Sequence, residues 1–225
     1  MNLEILDTLW HSRHQNADFT DLNRLLDALY RETTDLDHRY QIDWRRARSS
    51  HFTAQRELAA GNKRAAHREF ERGSDFAQWT LSLDAAEGRY WWTVNFIEAG
   101  RTATKWAEYW ALRGAKNQLE QIIQMDETLD FGGPLRALGR VAHLAPPRIG
   151  GGLVAAKTYY ERALDIADNS TTRLYLAGLL EDMGDKSAAR AQIESIINAP
   201  TDEERVWEQQ QDREKALEWL KVSGS

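Results

Sequence analysis

Apolar residues along this chain recur at the three-to-four-residue spacing of helices, without the strict alternation of half-buried strands. From Val154 to Ala167 the residues Ala156, Tyr160, Ala163, Leu164 and Ala167 fall at i, i+4, i+7, i+8 and i+11, which is one packing stripe. Leu3 to His14, with Leu3, Ile5, Leu6, Leu9 and Trp10, forms an opening helix, and Leu22, Leu25, Leu26, Leu29 and Tyr30 mark a second that Asp18 or Thr20 can cap. Tyr40 to Ala60 and Lys63 to Trp79 form a hairpin turned at Gly61-Asn62, where a positive φ ends a helix. Asp84 to Glu98, Thr102 to Leu112 and Lys116 to Leu129 follow, with Gly100 and Gly114 as turns. Gly132-Gly133-Pro134 opens the next helix, Pro146-Pro147 breaks it, and Gly150 to Gly152 turn the chain into the Val154 stripe. Thr171 to Met183 and Lys186 to Asn198 pair before Pro200, and Thr201-Asp202-Glu203-Glu204 starts a last helix with acids at its positive end.

A small residue, an aromatic four positions on and a small residue three later is the second-helix signature of a tetratricopeptide (TPR) unit, where small side chains let antiparallel helices approach closely. The offsets recur: Gly184-Asp185-Lys186 is followed by Ala189, Ile193 and Ile196, and Gly61-Asn62-Lys63 by Ala66 and Phe70. Ala156 and Ala189 stand 33 residues apart, close to the TPR period of about 34. The expected fold is all-α, an irregular TPR-like hairpin array of about ten to twelve helices. It is read as one domain, with residues 1–38 as amino-terminal capping helices, 39–200 as the repeat array and 201–225 as a carboxy-terminal cap.

Composition narrows the functional classes. A hydrophobic content of 42 % is ample for a core, and a net charge of −6 argues against nucleic acid as a partner, because neutralising phosphates demands clustered positive charge. The dense basic run, Arg45-Arg46-Ala47-Arg48, reads as a solvated face. Without Cys there is no disulfide, thiol nucleophile or thiolate metal site. No stretch reaches the length of about 18 apolar residues that a transmembrane helix needs, and MNLEILDTLWHSRHQ lacks a signal pattern, so the chain as written reads as cytoplasmic. Ser223-Gly224-Ser225 has the composition of an appended tail.

Several segments resemble one family in order along roughly residues 47 to 200: Gly88-Arg89-Tyr90-Trp91-Trp92 with Asn95, Met125-Asp126, Phe131-Gly132-Gly133-Pro134 with Arg136 and Leu138-Gly139, then Ala145-Pro146-Pro147, Gly150-Gly151, Ala156, Tyr160 and Ala163-Leu164. This order is similar to the T component of TRAP-type (tripartite ATP-independent periplasmic) transporters. The resemblance implies a TPR-like protein that is not an enzyme, whose helices enclose a central apolar channel, and that oligomerises and meets the periplasmic solute-binding subunit. Members are usually lipoproteins attached through a Cys after a signal peptide, so the resemblance also implies a periplasmic, outer-membrane-anchored form if a leader has been trimmed. Neither feature stands in this sequence.

The candidate chemistry follows from the aromatics. Tyr90, Trp91 and Trp92 are consecutive and point about 100° apart on a helix, so one of them lines a cavity, an interface or solvent. Filling a solenoid core is the plain alternative. The channel wall, if there is one, falls to Trp91, Trp92, Asn95, Trp106, Phe131 and Arg136, a set suited to a small organic acid or an apolar solute. Arg136 and Arg140, one turn apart after Gly132-Gly133, either hold a carboxylate or, for Arg136, pin the preceding loop through its carbonyls or Asp130; the loop pin is preferred. Gly150-Gly151-Gly152 lacks the Gly-Lys-Ser/Thr ending of a phosphate loop, and His11 and His14 lack a third ligand, so no cofactor and no metal is expected. With neither His-Glu-x-x-His nor Gly-x-Ser-x-Gly, an enzyme is not expected. Nine Trp point to self-association or docking through aromatic surface, and the competing function is a scaffold that takes only a protein helix or peptide in its groove.

Overall fold

The computed structural model of the chain describes residues 3–223, and the tail reading of Gly224-Ser225 lies outside them. Among the described residues the fold is all-helical, with eleven α-helices, two 3-10 turns and no strand. The chain divides into two compact units, Met1–Met125 and Asp126–Ser225. The first holds α1 (Glu4–His11), α2 (Asn16–Glu32), α3 (Leu36–Ala59), α4 (Lys63–Ala77), α5 (Ala86–Ala103) and α6 (Lys105–Asp126), which ends at the boundary. The second holds α7 (Leu129–Leu144), α8 (Leu153–Ile166), α9 (Ser170–Asp182), α10 (Lys186–Asn198) and α11 (Val206–Ser223).

In the first unit, α3 and α4 are antiparallel and joined at Gly61, whose φ of +80° supplies the left-handed turn. Ala54, Ala66 and Phe70 are fully buried between them, and Leu58 and Ala99 pack against that cluster. The small residue opposite the ring is what permits the close approach. Burying a side chain such as Phe70 contributes about 2–3 kcal/mol. The helix α5 lies across both, because Asn95 Nδ2 donates to the α3 carbonyl of Ala47 at 3.1 Å while Gly73 of α4 leaves room for the same side chain.

The basic run is not a solvated face. Arg45 is 7 % exposed and donates to both Asp7 carboxylate oxygens at 3.1 and 3.0 Å, which ties α1 to α3. Arg46 bonds Asp27 of α2 at 3.1 Å and Asp43 at 3.2 Å, with its guanidinium 3.8 Å from the centre of the Phe76 ring and 4.3 Å from that of Tyr30. Arg48 lies 3.9 Å over Trp10. Once α1 and α2 pack on α3, these cations are covered, and paired acids and aromatic faces replace their water. The cap expected for α2 also differs, since Gln15 stands at its start and the Thr20 hydroxyl bonds back to Asn16 O at 2.8 Å.

The expected turns at Gly100 and Gly114 are helix interior. The helix α5 runs through Gly100 to Ala103, and the chain reverses at Thr104, whose extended backbone (φ −134°, ψ 162°) and hydroxyl, accepting from Ala107 N at 3.1 Å, start α6. Packing explains Gly100, whereas at Gly114 a methyl group would make only an ordinary contact. A Cβ on Gly100 would lie 2.6 Å from the Ala111 Cβ, and one on Gly114 would meet the Phe96 ring at 3.6 Å.

In the second unit, Asp130, Phe131 and Gly132 form one left-handed stretch with φ of 47°, 58° and 74°, and α7 runs regularly from Gly133-Pro134 onward. Gly132 abuts the backbone of Ala163, 3.0 Å from where its Cβ would stand, and Gly139 gives up its side chain to the Tyr160 ring. Tyr160 is fully buried with Ala142, Ala156, Leu176, Leu179, Leu180 and Ala189. Ala177, Ile193, Ile196 and Ala216 make the neighbouring core, so α11 covers the α9–α10 hairpin. That hairpin turns at Gly184 (φ +83°), and Asn169 and Asp185 cap its helices by accepting from Thr172 N and Ala188 N. The acids expected to begin the last helix precede it: Asp202 accepts from Glu204 N and the Arg205 guanidinium, which closes a turn before Val206.

Candidate functional site

The six residues expected to line a channel fall in both units and in different environments. Tyr90 and Trp91 are buried; the Trp91 ring meets Tyr90 edge-on at 4.9 Å and lies 5.8 Å from His51. Trp92 is the member of the aromatic triplet that turns outward, stacked on Phe96 at 4.9 Å. Asn95 is fully buried, and its Nδ2 donates to Ala47 O and to Trp91 O at 2.7 Å, so its amide joins helices.

Phe131 and Arg136 belong to the second unit. The Arg205 guanidinium lies 4.9 Å over the Phe131 ring. Arg136 donates to Phe131 O at 3.3 Å, to Asp130 O at 3.2 Å and to the Asp130 carboxylate at 2.6 Å. These are the loop carbonyls and the acid that the pinning alternative required. The geometry explains the arrangement: three consecutive left-handed residues turn their carbonyls toward one side, and a planar guanidinium with several donors can gather them. Arg140, one turn on, lies 4.7 Å over Tyr175.

Trp106 stands apart. It is 70 % exposed at the start of α6, 6.1 Å from Tyr109 in a stacked arrangement and 5.6 Å from Trp110 edge-on. Trp110 is itself 45 % exposed, 5.5 Å from Tyr109, and carries the Arg113 guanidinium at 5.1 Å. Lys105 Nζ holds Glu108 at 2.7 Å beside the cluster. The sequence selected Trp106 but neither Trp110 nor Arg113. The signal was present: Trp106, Trp110, Arg113 and Asn117 recur at i, i+4, i+7 and i+11, opposite the buried stripe of Ala111, Leu112, Ala115, Leu119 and Ile122. A helix that buries one stripe and shows a second, aromatic one to solvent has a face left for something else.

A cleft of about 190 Å³ opens in the first unit, lined by Asn23, Leu26, Asp27, Arg46, Ser50, Arg72 and Phe76. Its charges are matched internally: Arg46 by Asp27 and Asp43, and Arg72 by Glu69 at 2.8 Å. Burial pushes the Asp43 and Glu69 carboxyls up from their ordinary values despite the neighbouring guanidinium groups. The cleft therefore presents little uncommitted charge. No helix among the described residues is long and apolar enough to cross a membrane, and no three His, Asp or Glu side chains among them are placed to hold a metal ion. No family model matches the sequence, and no curated protein matches it.

Proposed function

We propose that this chain is a non-enzymatic adaptor, TPR-like in construction, that binds another protein through the aromatic face of α6. The observation that carries this reading is the exposed pair Trp106 and Trp110, with the half-buried Tyr109 ring packed against both. Large rigid rings left in water are typical interface anchors, and removal of such an anchor costs about 2 kcal/mol or more of binding. The T-component resemblance supplies the partner: the periplasmic solute-binding subunit of a TRAP-type transporter, which would place the working protein in the periplasm. A protein ligand is favoured over a small organic acid, because the Arg136 guanidinium, read as the anchor for a carboxylate, and Asn95 Nδ2, read as part of the channel wall, already bond within their own units.

The test is calorimetric titration of the purified chain with a candidate solute-binding subunit. Wild type should bind, and W106A/W110A should bind at least about thirty-fold more weakly, the equivalent of one lost anchor. Its helical circular dichroism should be unchanged, because both rings lie largely outside the core. Equal affinity of the double variant and wild type would show that α6 is not the docking face. A titration in which an organic acid, and not the protein, gives the saturable heat would favour the solute reading.

A further inference from the structure

We infer that the surface docking on α6 is an acidic amphipathic helix, an inference that rests on α6 being the docking face. The exposed stripe runs Trp106, Trp110, Arg113, Asn117, Gln121 and Gln124, and its single charged member is a cation. The flanking charges pair off, Lys105 with Glu108 at 2.7 Å and Lys116 with Glu120 at 3.9 Å, which leaves Arg113 as the charge on this face without an acid beside it. The positive end of the α6 backbone dipole lies at the same end as Trp106. In a chain of net charge −6 this stripe carries one cation and no acid. Such a patch steers and selects a partner of opposite sign, while apolar anchors supply the affinity.

The shape of the stripe argues for a helix as occupant. From Trp106 to Gln124 it extends about 27 Å along one helix at the usual rise per residue, and it is narrow, within about 80° of arc. A partner helix laid along it would set apolar residues at i, i+3 and i+7 against the rings of Trp106 and Trp110. Its Glu or Asp residues would flank those anchors and reach Arg113. A second copy meeting this face with its own α6 would bring like charges together around each two-fold-related Arg113, so a symmetric self-contact is disfavoured.

The experiment uses two fluorescein-labelled helical 18-residue peptides, identical in their Leu anchors, one flanked by Glu and the other by Lys, titrated by anisotropy with the full chain at physiological salt. The Glu peptide should bind at least ten-fold more tightly than the Lys peptide, R113E should narrow or reverse that preference, and W106A/W110A should abolish binding of both. Equal binding of the two peptides, lost in W106A/W110A, would overturn the acidic assignment and leave the docking face standing. Glu-peptide binding that survives W106A/W110A would overturn the docking reading itself. No binding of either peptide, or a concentration-dependent dimer that W106A/W110A dissolves, would overturn the acidic-helix assignment, the latter by making a second copy the occupant.

Discussion

Replacing Arg136 with Ala separates its two readings, structural pin and solute anchor. The side chain is mostly buried and makes a charge-assisted bond of 2.6 Å to Asp130 together with bonds to the carbonyls of Asp130 and Phe131. Those two residues hold left-handed backbone, with φ of 47° and 58°, which costs each L residue about 1–2 kcal/mol and needs outside support. A charged hydrogen bond contributes about 1.5–3 kcal/mol and a neutral one about 1, but the part-exposed Asp130 recovers water on truncation, so the net loss should be about 2–3 kcal/mol. R136K keeps the charge and loses the fork, and should lose about half as much. Because the chain forms two compact units, the loss should be localised to the second. Native-state hydrogen exchange resolves them: protection should fall in α7 and α8 and stay constant in α5. A loss below about 0.5 kcal/mol, well under the net value of one ordinary hydrogen bond, would refute the pin and return Arg136 to the solute reading.

Two glycine substitutions should have opposite signs. In G73A the new Cβ would stand 2.5 Å from Asn95 Oδ1, so Asn95 must shift and lose its bonds to Ala47 and Trp91, a net cost of about 1–2 kcal/mol in urea unfolding. In G178A, nothing lies within 4 Å of the new methyl, and the helix gain of about 0.5–1 kcal/mol should appear as a higher Tm. Burial acts to raise the Asp7 carboxyl, but the bond from Arg45 and the charges of Arg45, Arg48 and His11 outweigh it and hold it below the ordinary carboxylate range. Its stabilising effect is therefore full above the unfolded value near pH 4 and lost as pH falls through the lower folded value, so the Tm deficit of D7N should be largest at neutral pH and shrink as the solution is acidified.

The repeat hairpins were the most legible part of the chain. Ala66, Phe70, Ala156, Tyr160, Ala163, Ala189, Ile193 and Ile196 were read as a packing face and are fully buried, while Leu164 and Ala167 of the same stripe are half-buried; a small residue beside a ring leaves a periodic mark. Gly61 was legible as a turn, whereas Gly100 and Gly114 were misread as turns: the same residue type serves positive φ and close approach, and the neighbour that decides at Gly100, Ala111, lies on the next helix. The Arg45–Arg48 run was misread for a related reason. Whether a cation on α3 meets water depends on where α1 and α2 pack, and no local spacing encodes that. Among the candidate site residues, periodicity showed that the Tyr90–Trp92 triplet could not share a face, and Trp92 is the one that turns out. It could not say that Trp106, and not Trp91, would be left in solvent.

The most direct test of the docking face is fluorine NMR of the chain labelled with 5-fluorotryptophan, with the resonances of Trp106 and Trp110 assigned through W106F and W110F. In the free protein these two signals should show large solvent isotope shifts between H2O and D2O, and Trp91 a small one, in keeping with exposures of 70 %, 45 % and 8 %. On titration with the solute-binding subunit the Trp106 and Trp110 signals should move and lose their isotope shift while that of Trp91 stays in place. Signals of Trp106 and Trp110 that are already shielded in the free chain, or that remain solvent-exposed in a saturated complex, would contradict the account.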